Sequence, residues 1–150
     1  MAIPAQAMAN TILKMSFKEE IDVTPMKLQK LLYFIYRDYL KKTNVRLFSE
    51  RFECWRYGPV LSSIYSEFKS FGSKPITKFA RNADGGGDFI DLKTVPILRS
   101  VVETIWDKYQ DSTGIELSEI THQKGSAWYK AFQEDCPFLR DEDIKEDCVG

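Results

Sequence analysis

Val23-Thr-Pro-Met-Lys-Leu-Gln-Lys-Leu-Leu-Tyr-Phe-Ile-Tyr-Arg-Asp-Tyr-Leu-Lys-Lys42 reads as one long helix, and the rest of the chain is arranged around it. Thr24 is an N-cap residue, because its hydroxyl can accept from a free N–H of the first turn. Pro25 follows at the first helical position, where its missing N–H costs nothing. At about 100° per residue, Leu28, Leu31, Leu32, Ile35, Tyr36 and Tyr39 share one broad arc, the core face. Lys27, Lys30, Arg37 and Lys41 fall on the opposite arc with Phe34 among them. That second face reads as a solvated cationic stripe holding one aromatic.

The periodicity outside this helix predicts a mainly α fold with a small antiparallel β-sheet (α+β). It places about six helices around the central helix 24–42, with two or three short strands. Met8, Ile12 and Met15 mark a first helix over Ala2–Phe17. Phe52–Tyr57 alternates and is aromatic-rich, as a strand would be. Gly58-Pro59 is expected to break it and to start a helix, with Pro59 at the first position and Gly72 past the end. Asp84-Gly-Gly-Gly-Asp88 reads as a hairpin tip or mobile loop, and Phe89–Leu92 as a further strand. Thr94 is expected to cap a helix with Val95, Leu98, Val102, Ile105, Trp106 and Tyr109 on its core face. Short helices over Ile115–His122 and Ala127–Gln133 follow, the last capped by Ser126.

Length and composition fit one globular domain. With 150 residues, 43% of them hydrophobic and 29% charged, the chain is long enough to bury a real core. The formal charge of −1 argues against a dedicated nucleic-acid binder, which would be plainly basic. It conceals an asymmetry: from Glu134 onward seven acidic residues face only Arg140 and Lys145. The expected organisation is therefore a single domain over 1–134 and an acidic tail over 135–150, whose composition leans towards disorder.

Catalytic and metal chemistry find little footing. Cys54, Cys136 and Cys148 with the single His122 cannot build an ordinary four-ligand zinc site, and they contain no C-x-x-C pair. The Gly-rich run lacks the Lys-Ser/Thr of a P-loop and the spacing of a dinucleotide fingerprint. No cofactor or metal is expected. A nucleophilic mechanism would have to use His122 as its base, and no nucleophile elbow accompanies it. An odd number of cysteines and the lack of a signal peptide or membrane span predict a cytoplasmic protein, and the lack of any catalytic set a non-enzymatic one. The candidate partner-binding residues are Lys27, Lys30, Phe34, Arg37 and Lys41 on the helix, followed by Arg56 and Tyr57 beside the Gly-Pro turn.

Four blocks carry a family resemblance. Thr24-Pro-Met-Lys-Leu-Gln-Lys-Leu-Leu-Tyr-Phe34, Phe52-Glu-Cys-Trp-Arg-Tyr-Gly-Pro-Val60, Ile64-Tyr-Ser-Glu-Phe68 and Leu117-Ser-Glu-Ile-Thr-His122 with Trp128 occur in this order in the Panacea, or SocA-like, antitoxin domain. The resemblance covers about residues 8–134 and extends to phage-associated proteins of the GepA type. It implies a bacterial or prophage antitoxin that binds and neutralises a cognate toxin protein, in the SocA type also delivering it to a Clp-family protease. Many relatives carry an added helix-turn-helix domain, for which this chain leaves no room. Autoregulation on DNA is therefore not expected. The alternative function is a phage-associated regulator that binds nucleic acid through the basic face of the central helix.

Overall fold

The computed structural model describes residues 3–150, so Ala2, the expected start of the first helix, lies outside the described residues. α1 spans Ala5–Glu19 and α2 spans Pro25–Thr43. A hairpin of β1 (Glu53–Trp55) and β2 (Gly58–Val60) leads into α3 (Ser62–Phe68). α4 (Pro96–Tyr109), α5 (Gly114–Thr121), α6 (Ala127–Gln133) and α7 (Asp141–Glu146) complete a mainly helical α+β fold with one two-stranded antiparallel sheet.

α2 forms where its signals place it. Thr24 Oγ1 accepts from the Lys27 N–H at 3.3 Å, Pro25 occupies the first turn, and Asn44 closes the helix in the left-handed region at φ 56°. Its apolar arc packs against α1 and α4. Ile12, Met15, Leu31, Ile35, Val102 and Trp106 meet there. The opposite arc is covered as well, by β2, α5 and α7, so α2 is surrounded rather than half-solvated.

Several boundaries differ from the sequence expectation, each for a local reason. Gly58–Val60 is the second strand of the hairpin, not the start of a helix: Gly58 at φ 116° turns the chain, and Trp55↔Gly58, Cys54↔Pro59 and Glu53↔Val60 pair across it. The helix begins only at Ser62. Phe89–Leu92 is no strand. Its Ile90 N–H goes to Thr11 Oγ1 at 2.9 Å, while the Asn10 amide brackets Ala80 through both its N–H and its carbonyl. Polar side chains of α1 thus take the backbone bonds that a neighbouring strand would have taken. The Gly-rich run is a turn organised by Asn82, whose side-chain oxygen accepts from Asp84 and Gly86. Thr94 belongs to a short 3-10 turn, and the residue preceding α4 is Val95.

The acidic stretch is built into the body. α7 carries Asp141, Glu142 and Asp143 in its first turn, where the helix dipole favours them. Asp143 pairs with Lys130 at 2.8 Å, and Asp141 with Arg46 at 2.8 Å and with the Tyr36 hydroxyl at 2.7 Å. Asp147 is 1% exposed. These carboxylates are neutralised within the protein, which is why the stretch folds despite its composition.

Candidate partner-binding site

The cationic arc of α2 is the largest departure from the sequence reading. Lys27, Lys30, Phe34 and Arg37 are all buried; of that group only Lys41 stays exposed. Lys27 donates to the Gln110 carbonyl at the end of α4, and burial lowers its pKa despite Asp111, Asp22 and Glu116 nearby. Phe34 is a core residue, stacked on Tyr109 at 4.8 Å with the Arg37 guanidinium 4.9 Å from its ring centroid. Arg37 pairs with Asp38 at 2.9 Å and Asp147 at 3.4 Å. The helical wheel placed these residues on one face correctly. It could not reveal that α5, α7 and residues 147–150 cover that face.

Arg56 and Tyr57 behave differently. Both are exposed, and the backbone that carries them is clamped from beneath. Three successive carbonyls of the hairpin turn meet side chains of α5 and α6. The Trp55 carbonyl accepts from Trp128 Nε1 at 2.7 Å, the Arg56 carbonyl faces His122 Nε2 at 2.8 Å, and the Tyr57 carbonyl accepts from the Ser118 hydroxyl. His122 also packs edge-on to Trp128 at 4.5 Å, and its Nδ1 lies on the Ser118 carbonyl. With both ring nitrogens against backbone carbonyls, His122 is a strut of the turn. Gly58 is required here: a Cβ would fall 2.7 Å from Thr121 Oγ1 and 3.1 Å from Lys30 Cε. The turn is thus rigid while its side chains project outward, the Arg56 guanidinium 5.4 Å from the Tyr57 ring centroid.

Beside this turn opens a cavity of about 410 Å³, mostly apolar, between the start of α2, the hairpin and α3. Half-buried Trp55 and exposed Tyr65 form one wall, their ring centroids 4.8 Å apart. Met26, Val60 and Ile64 supply aliphatic surface, and Arg56 and Tyr57 the rim. Gln29 lines the cavity but is spent, its amide exchanging two hydrogen bonds with the Leu61 backbone. Lys30 also lines it, 1% exposed, its ammonium donating to the Pro59 carbonyl at 3.0 Å. Burial alone pushes Lys30 down to about 7. The sequence reading named Arg56 and Tyr57 but missed the cavity, because Trp55, Tyr65 and Met26 join it from elements that only tertiary packing brings together.

Among the described residues no group of three or more His, Cys, Asp or Glu gathers as a metal site, and no helix is long and apolar enough to cross a membrane. The family model for "Antitoxin SocA-like, Panacea domain" matches residues 28–129. A curated relative, antitoxin SocA of Caulobacter vibrioides strain NA1000 / CB15N, is 34% identical over 130 residues, covering 85% of this chain and 69% of the relative. No solved structure matches. The matched span runs from within α2 to within α6, and so contains the hairpin turn and most of the cavity wall.

Proposed function

The chain belongs to the SocA-like antitoxin family with the Panacea domain, and we propose that it binds a cognate toxin protein and neutralises it by occlusion. The observation that carries this reading is the hairpin turn Trp55-Arg56-Tyr57, held rigid from below and exposed above, next to an apolar cavity. Aromatic side chains have few rotatable bonds and so lose little entropy on binding, and aromatics with arginine are the residue types that dominate interface energetics. Of the residues first singled out on sequence, Arg56, Tyr57 and exposed Lys41 are positioned to touch a partner. Lys27, Phe34 and Arg37 support the scaffold instead. Occlusion takes place in the cytoplasm on this reading, and handing the bound toxin to a Clp-family protease is a further step that the same complex would permit.

Nucleic-acid binding through the basic face of α2 is disfavoured, since a duplex needs accessible cations and three of the four are buried. The test is co-expression of the chain with the product of the gene beside its own, scoring growth and co-purification. Rescue of growth by the wild type, with loss of both rescue and complex in an Arg56→Ala/Tyr57→Ala variant, is the expected outcome. A toxic neighbour that the wild type neither binds nor neutralises would overturn the reading.

A further inference from the structure

We propose that the cavity between α2, the hairpin and α3 is a peptide-docking site, taking from the toxin a segment that presents an aromatic or large aliphatic side chain next to a carboxylate. The source of the segment rests on the toxin-binding reading; the chemistry of the site rests on the cavity. Its charged lining residues are Lys30 at the floor and Arg56 at the rim, both cationic, and no acidic side chain lines it. Arg37, also buried, has two carboxylate partners, whereas no ion pair among the described residues reaches Lys30. An ammonium has three N–H groups, and the one recorded acceptor is the Pro59 carbonyl.

A desolvated cation without a counter-charge is expensive to keep, and it binds an incoming carboxylate strongly because the attraction acts in a low dielectric. Burial already pulls the Lys30 pKa to about 7, so a carboxylate would complete its hydrogen bonding and restore its charge. The walls specify the second half of the ligand. Trp55 and Tyr65 offer aromatic faces, and Met26 adapts to the shape placed against it. The volume, about 410 Å³, is in the range of sites that swallow one or two side chains. The rim favours a polypeptide over a free small acid. Tyr57 and Tyr65, 54% and 46% exposed, extend contact surface beyond the cavity mouth, where a chain entering and leaving would lie.

The experiment is selection of a displayed library of random 12-residue peptides against the immobilised full chain, followed by titration of the enriched peptides. The expected result is enrichment of an aromatic or Leu/Ile residue within two positions of Asp or Glu. Lys30→Met should then weaken those peptides about tenfold or more, as loss of a charge-assisted bond does. Arg56→Glu should weaken them as well, while Lys108→Met, on the exposed face of α4, should change nothing. Lys30→Met removes a buried lone charge and keeps the volume, so its thermal midpoint should not fall, and a loss of binding reads the site rather than the fold. Enrichment without an acidic residue, no enrichment, or binding indifferent to Lys30→Met would overturn the proposal. So would benzoate or indole-3-acetate binding in the cavity when no peptide does. Because the selection requires no toxin, its failure leaves the neutralisation test standing, and the converse also holds.

Discussion

Lys30 and Arg37 lie seven residues apart on α2, two turns along the same face, and both are buried. Their surroundings could hardly differ more. Arg37 is enclosed by Asp38, Asp147, the Val149 carbonyl and the Phe34 ring. Asp147 in turn accepts from the Tyr33 hydroxyl and the Ala127 N–H, so a single carboxylate ties α2, α6 and the segment after α7 together. Lys30 has one carbonyl and an opening to a cavity. The first cation is consumed in holding the fold, and the second is left for something to meet. One amphipathic pattern thus hides two physical situations, separated by whether a distant carboxylate happens to arrive.

The sharpest way to break this comparison is to remove that carboxylate. Asp147→Ala leaves Arg37 only Asp38 as a carboxylate partner and leaves the buried Tyr33 hydroxyl and Ala127 N–H without their acceptor, and urea denaturation should show a loss of about 3–5 kcal/mol. A loss below about 1 kcal/mol would mean the pair is no staple. Phe34→Ala empties the space between Arg37 and Tyr109 and should cost about 3–5 kcal/mol in the same assay. Weakened toxin binding without that loss would return Phe34 to the interface.

Lys30→Met should act with the opposite sign, stabilising the protein by about 1–4 kcal/mol near pH 7 and below. The pH dependence identifies the cause. With a folded pKa of about 7 against an ordinary value of 10.5, Lys30 carries fewer protons folded than unfolded between those two pH values. Wild-type stability relative to the Met variant should therefore be flat below about pH 7 and rise by roughly 1.4 kcal/mol per pH unit above it. A flat difference from pH 6 to 10 would show that Lys30 titrates normally. The smallest effect on stability belongs to the exposed turn. Arg56→Ala and Tyr57→Ala should each move the unfolding free energy by no more than about 0.5 kcal/mol, while toxin affinity drops by tenfold or more.

The elements that local signals define were legible residue by residue. Thr24-Pro25 starts α2, and Ser126 starts α6, its hydroxyl accepting from the Tyr129 N–H at 3.0 Å. The capping box of Thr113 and Glu116 went unread, and it starts α5 at Gly114, one residue before the start expected from periodicity. What failed depended on partners far away in sequence. Phe89–Leu92 has the composition of a strand, yet Thr11 of α1 takes the Ile90 N–H and Asn10 the Asp88 carbonyl just before the segment. Residues 135–150 have the composition of a solvated tail, yet Lys130, Arg46 and Arg37 are placed to neutralise them. Of the candidate site, Arg56 and Tyr57 were visible as an aromatic-cationic pair beside a Gly-Pro turn. The carbonyl clamp beneath them and the cavity beside them were not.

By itself, the sequence determined the helical class, the length and N-cap of α2, the strand over Glu53–Trp55 and the family blocks, because capping, periodicity and backbone restriction act within a few residues. Only the tertiary structure decided that the cationic face of α2 is inside as well as the apolar one. Burial of a cation depends on what lies across from it, and the groups that lie across from Lys30 and Arg37 come from residues 59 and 147 respectively.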